Sequence, residues 1–194
     1  KWVFHWAVCS VASAIASGGL AERLTFSGSC IFSFLLTGFI YPVVAASAWG
    51  HGWLKDINAV GYVDFAGSGV VHVTGGCVAL AGAVLARPRV GRFQGQGPRA
   101  RCLDTPEGFT PHSMPLMVLG TFILWFGWYG LNCGFTLSMV GIEQGFLAAQ
   151  VAMNTTIAAA SGGLVAFALR LAMLGRYDVS AFCKGVLAGL VSIS

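Results

Sequence analysis

Charge is scarce in this sequence, and its scarcity excludes more than any motif does. Only 9% of the 194 residues are Asp, Glu, Lys or Arg, while 56% are hydrophobic. A water-soluble domain carries about a quarter charged residues, so this chain lacks the groups to cover a water-facing surface. Intrinsic disorder is excluded too, because disordered chains are charge-rich and aromatic-poor, whereas 12% of this one is Phe, Trp or Tyr. No G-x-S-x-G, phosphate-binding glycine loop or metal-ligand spacing occurs, so no enzyme chemistry is expected. The cysteines Cys9, Cys30, Cys77, Cys102, Cys133 and Cys183 form no C-x-x-C pair. Four of them lie in apolar runs, where cysteine behaves as a small hydrophobe, so neither a metal nor a cofactor is expected. There is no basic stretch ahead of the first apolar run, hence no cleavable leader is expected. The chain opens at Lys1 and stops at Ser194 inside apolar runs, so it is expected to be an internal fragment of a longer protein.

What is present is a series of apolar runs of membrane-crossing length. A spanning helix needs roughly 20 mostly apolar residues. Runs near 2–20, 26–49, 64–86, 114–131 and 145–174 meet that need, and a sixth begins at 179 and continues to 194. The expected fold class is all-α: a polytopic transmembrane helix bundle in one domain over 1–194, apolar on all sides of its helices. Small residues recur at helical spacing, as in Gly75, Ala79 and Ala83 and in Gly162 and Ala166, which lets helices approach closely in lipid. The basic residues are asymmetric. Loops 21–25, 87–113 and 170–178 hold Arg23, Arg87, Arg89, Arg92, Arg99, Arg101, Arg170 and Arg176, against Lys1 and Lys55 on the other side. Positive charge stays cytoplasmic, so those loops are expected inside. Trp2, Trp6, Trp49, Trp53, Tyr62, Trp128 and Tyr129 then fall near the outer boundary, where amphipathic rings anchor. The net charge of +4 is a topology signal, and no nucleic-acid partner is expected.

Ionisable groups at membrane depth are costly and point to function. His72 follows Asp64 by eight residues, which puts it roughly 12 Å deeper, near the middle of the hydrocarbon core. A neutral imidazole there has a donor and an acceptor for a proton or a small polar solute; a structural histidine bonded to a neighbour is the other reading. Asp64 can cap a helix start or hold a cation at the outer mouth. Trp49 can present its ring to a cation, worth roughly 0.5–2 kcal/mol, or anchor the interface. Asn154, Thr155 and Thr156 are expected to bond between helices.

Five stretches carry a family resemblance. Gly19-Leu-Ala-Glu-Arg23, Tyr41-Pro-Val-Val44, Asp64-Phe-Ala-Gly-Ser-Gly-Val-Val-His72, Pro88-Arg-Val-Gly-Arg-Phe93 and Leu119-Gly-Thr-Phe-Ile-Leu-Trp-Phe-Gly-Trp-Tyr-Gly-Leu-Asn132 resemble, in order and spacing, the ammonium transporter (Amt/Mep) family. Their wording is more similar to its plant- and alga-like branch than to its bacterial one. The resemblance implies about eleven helices in two inverted halves, a common transporter design with its site near the midplane. This chain would hold the third to eighth of them, within a homo- or hetero-trimer, in a membrane that is expected to be the plasma membrane.

The resemblance also implies roles for particular residues. Trp49 matches the external ammonium-recruitment tryptophan and Asp64 the aspartate that supports it. His72 matches the first of two pore histidines, the second lying on a helix outside this chain. Phe4 matches one ring of the phenylalanine gate, and Trp128 lies in the pore-lining signature. Val8 departs from the second gate phenylalanine, Leu131 from a common aromatic, and Phe135 from the recruitment serine. The implied function is transport of ammonium or ammonia through a hydrophobic pore. The alternatives are a non-conducting ammonium sensor or assembly subunit of the same family, and, at greater distance, a Rhesus-type ammonia channel.

Overall fold

Helix length and apolar character decide the architecture, because in lipid every backbone N–H and C=O must be satisfied within the segment that carries it. The structure, a computed structural model, describes residues 2–57, 59–94, 101–102, 109 and 112–194. Lys1, Arg99 and much of the expected inner loop 87–113 lie outside them. The helices are α1 (Trp2–Leu20), α2 (Phe26–Leu35), α3 (Tyr41–Trp49), α4 (Thr74–Ala86), α5 (Met114–Gly134), α6 (Ile142–Leu174) and α7 (Val179–Ile193). A π-helical turn, Leu36–Ile40, joins α2 to α3, and a second, Ser68–Val73, leads into α4. Among the described residues, strand occurs only as a short antiparallel pair, β1 (Phe93–Gln94) and β2 (Arg101–Cys102), with Phe93 opposite Cys102. Five helical spans are long and apolar enough to cross a membrane, and the sixth segment, Val179–Ile193, is shorter. The fold is all-helical, and rings such as Phe26, Phe126 and Phe34 stand exposed on it, as lipid-facing side chains do.

The first π turn has a cause in the sequence. Pro42 has no N–H and its ring would collide with the carbonyl four residues back. The Tyr41 N–H reaches to the Leu36 carbonyl instead of the Thr37 one, widening the turn ahead of the proline. The Thr37 carbonyl thereby loses its helical donor and takes the Cys9 thiol of α1 at 3.8 Å. The span 26–49 stays continuous through a proline that would otherwise break it.

The third span departs from the expected bounds: it becomes helical at Ser68, not at Asp64. Residues 64–67 are non-helical, with Gly67 at φ +101, a conformation open chiefly to glycine. At the other ends, α5 runs three residues beyond its expected stop and α6 begins three residues before its expected start. α6, at 33 residues, is about 50 Å long and outreaches a hydrocarbon core of about 30 Å. It stops where Gly175 turns left-handed at φ +63 and returns its N–H to the Leu171 carbonyl, a glycine C-terminal cap.

The chain divides into two compact units, Lys1–Val63 with Gly69–His112, and Asp64–Ser68 with Ser113–Ser194. In the first, α1 buries Val8, Ala12, Ala16 and Leu20, one residue per turn, and packs chiefly on α4. A Cβ on Gly19 would come within 2.8 Å of the Ala79 Cβ, and one on Gly75 within 2.9 Å of the Ala12 carbonyl oxygen. In the second unit α6 and α7 form the tightest pair, where Gly162 lies against Gly185 and Gly189 lies against the Ala158 carbonyl. Its core is Ala159, Val186 and Leu190, covered by Trp125, Trp128, Phe182 and Leu187.

Candidate functional site

Three of the predicted site residues, Phe4, Trp49 and His72, belong to the first unit, and two, Asp64 and Trp128, to the second. His72 stands on the second π turn and is buried at 6% exposure. Thr74 Oγ1 donates to the Gly69 carbonyl at 3.4 Å, reaching back five residues across that wide turn. A π turn adds a residue relative to an α turn and so rotates the side chains within it; such turns recur at functional sites. The imidazole therefore faces protein, not lipid. Phe4, on the first turn of α1, is half-buried, and its ring meets His5 edge-on at 5.9 Å between centroids. Trp49 closes α3, half-buried, followed by the extended Gly50. Val8, where the resemblance leads one to expect a second gate ring, is buried at 1% exposure.

Asp64 is half-buried, and its Oδ1 accepts the Gly67 N–H at 2.7 Å. That is the bond an N-cap makes to its third residue, but it closes the non-helical turn ahead of the helix. The Ala66 N–H of the same segment donates to the Ser194 carbonyl at 2.8 Å. Trp128 reaches the same terminus, its Nε1 donating to Ser194 Oγ at 2.9 Å. Phe135 tilts against Phe65 at 6.5 Å. The second unit thus gathers Asp64, Trp128 and Phe135 around the end of α7.

Sequence reasoning located the polar residues of the fifth span but not their partners. Thr155, fully buried, accepts Asn132 Nδ2 at 3.1 Å and donates to the Val151 carbonyl at 2.7 Å. Thr156 Oγ1 pairs with Tyr129 Oη at 2.6 Å, and Trp125 Nε1 donates to that same oxygen at 3.1 Å. Asn154, in contrast, is exposed. The i, i+4 spacing of Trp125, Tyr129 and Cys133, and of Trp128 and Asn132, is the sequence signal for two polar rows on α5. Among the described residues no group of three His, Cys, Asp or Glu side chains comes together in a way that could hold a metal ion.

Outside the spans, Asp178 caps α7 by accepting the Ala181 N–H at 3.0 Å and binds Arg170 of α6 at 3.0 Å. The Ala181 N–H, and after it the Arg170 guanidinium, hold its carboxyl below the ordinary range. At the ends of α1 and α4, Glu22 is paired with Arg89, and Arg89 and Arg92 both lie over the Phe109 ring, at 4.7 and 5.6 Å.

Three comparisons bear on this arrangement. The model of the Ammonium Transporter Family matches residues 1–194. The chain is similar to ammonium transporter Amt2 of Archaeoglobus fulgidus, 38% identical over 200 residues, covering 100% of this chain and 40% of that one. It is 39% identical over 207 residues to ammonium transporter 1 member 3 of Solanum lycopersicum, covering 100% of this chain and 43% of that one. These identities are too close to separate a plant-like from an archaeal affinity. Among solved structures it resembles Candida albicans Mep2, with a TM-score of 0.77 at 32% identity, over 96% of this chain and 38% of that one. It also resembles a sensor Amt protein, with a TM-score of 0.76 at 36% identity, over 96% of this chain and 44% of that one. The chain spans about two fifths of the length of these relatives.

Proposed function

The chain belongs to the ammonium transporter family, and from that premise we propose that it forms the recruitment and entry half of an ammonium pathway, with Trp49, Asp64, Phe4, His72 and Trp128 as its working residues. The family is one of transporters, not enzymes. The observation that carries the proposal is the burial of His72 on a π turn within an apolar span. A polar ring kept at that depth, away from lipid, has a use there.

Ammonium reaches the outer mouth, where the Trp49 ring attracts it, while Asp64 supports recruitment by closing its own turn through the Gly67 N–H. The cation cannot enter the apolar passage cheaply, since burying an unpaired charge costs several kcal/mol even after relaxation. Desolvation favours its neutral form, so a proton is lost before the constriction. Ammonia then passes Phe4 and moves along His72, whose two nitrogens can donate to it, accept from it, or relay the proton. Potassium has no proton to lose and is rejected. In this reading the protein sits in the plasma membrane as a homo- or hetero-trimer with loops 21–25, 87–113 and 170–178 inside.

The test is ammonium uptake by the full-length protein in proteoliposomes. Uptake that saturates, with potassium excluded, supports the reading; a sealed vesicle with no ammonium flux contradicts it. A second reading, a sensor or assembly subunit, is favoured by Val8 and Phe135 at expected functional positions and by the likeness to a sensor Amt protein. Growth rescue on limiting ammonium by the full-length gene alone supports transport, and rescue only in mixed trimers supports the subunit.

A further inference from the structure

Helices α1 and α4 are in intimate contact through glycines on both. Gly75 lies against Ala12 and Ile15, Gly19 against Ala79, and Gly82 against Leu20. The contacts climb together in number, so the two helices run parallel, and they place His72 level with residues 9–12 of α1. Phe4 then lies roughly 8–12 Å farther toward the outer end along the pair. A seam of glycine and alanine permits close approach, with Ile15 and Leu20 of α1 seated over Gly75 and Gly82 of α4. In lipid such packing and hydrogen bonds between helices set their register, without a hydrophobic force to add to them.

What ties the pair is at its far end. Arg23, in the turn after α1, donates from Nη1 to the Gly19 carbonyl at 2.6 Å and from Nε to the Arg87 carbonyl at 3.0 Å. One guanidinium thus bridges the last turn of α1 and the residue that ends α4. Both ends present unpaired carbonyls and the negative pole of a helix dipole, and a planar fork of donors suits two acceptors on different elements. Arg87 sits at φ +67 and ψ −178, sparsely populated for a non-glycine residue, and such a conformation persists only where its surroundings over-determine it. The Arg23 bond is made to the carbonyl of that residue, and the Glu22–Arg89 pair ties the same two turns a second time.

We propose that Arg23 is a positioning residue that sets the axial register of α1 against α4 and so fixes the spacing between Phe4 and His72 along the passage. The claim rests on the pore reading above only for its consequence in transport. A slip of one residue would move Phe4 by about 1.5 Å relative to His72.

The test uses full-length protein carrying spin labels at Ser10→Cys and at Cys77, both exposed, on α1 and α4, with every other cysteine replaced. Arg23→Gln is expected to shift the label distance by about 1 Å, the part of a one-residue rise of about 1.5 Å that projects along the oblique label vector, or to broaden its distribution. It should also lower the maximal ammonium uptake rate at least fivefold, with KM, set at Trp49, within twofold of wild type. Arg23→Lys, which keeps the charge but not the planar fork, should recover the distance and the rate only in part. Arg92→Gln, which removes one positive charge from the same turn region, should change neither. An unchanged distance in Arg23→Gln overturns the proposal, as does a shift of the same size in Arg92→Gln. A shifted distance with wild-type transport leaves the register assignment standing and refutes instead the pore roles of Phe4 and His72.

Discussion

At the scale of single residues, the account turns on a few polar groups placed where polarity is expensive. His72 was legible as a candidate because an imidazole next to Val70, Val71 and Val73 breaks an otherwise apolar run. Its π turn was not, since nothing in hydropathy reports a single residue of extra winding. Trp49 was legible as an aromatic at a span end, with anchor and cation readings both open. These separate by measurement: Trp49→Leu should raise the KM for ammonium about 2- to 30-fold, the range that a lost cation–π contact of 0.5–2 kcal/mol gives, while the maximal rate holds. A mere interface anchor would leave KM unchanged and lower the amount of inserted protein. Arg23 was read from sequence as a topology charge and as the end of one family-like stretch, but not as a tie, because the two carbonyls it joins come from residues 19 and 87, far apart in the chain.

At the scale of elements, hydropathy located the five long spans among the described residues, because helix length and apolar content are read directly from a linear chain. It erred where backbone geometry decides the boundary, as at 64–67, where the turn closed by Asp64 and Gly67 delays the helix. The glycine columns were legible as packing, and their partners are the structure's addition. Gly189 lies so near the Ala158 carbonyl that any side chain must force α6 and α7 apart. Gly189→Val is expected to cost about 1–3 kcal/mol, as overpacking does, visible as a lower midpoint in detergent-denaturation curves. Asp178 makes a pH-dependent tie between the same helices. Its carboxyl is held low in the folded state by the Ala181 N–H and Arg170. Its stabilisation is therefore complete above the unfolded carboxylate pKa and disappears as pH falls through the lower folded value. Thermal midpoints measured from pH 6 down to pH 2 should fall for wild type in that acid window, and Asp178→Asn should lack that part of the decline.

At the scale of the whole molecule, the described residues hold five membrane-length helical spans and a shorter apolar helix, a partial bundle of one family that covers about two fifths of its relatives' length. The arginine asymmetry makes a topological prediction for the full-length protein. Asp56→Cys should react with a membrane-impermeant thiol reagent on intact cells, and Arg176→Cys only after lysis. Reversal of that pattern would invert the loops and put Trp49 at the wrong mouth. Fold and family were legible because membrane solvation and five specific sequence stretches both constrain a linear string. How the site residues are held was less so, since it depends on bonds such as Trp128 to Ser194 and Asn132 to Thr155, whose partners no local pattern names.

The most direct measurement is methylammonium uptake by full-length His72→Ala protein, compared with wild type at equal membrane abundance. The account predicts at least a tenfold fall in maximal rate or a loss of selectivity against potassium. Uptake at the wild-type rate with selectivity intact would contradict it.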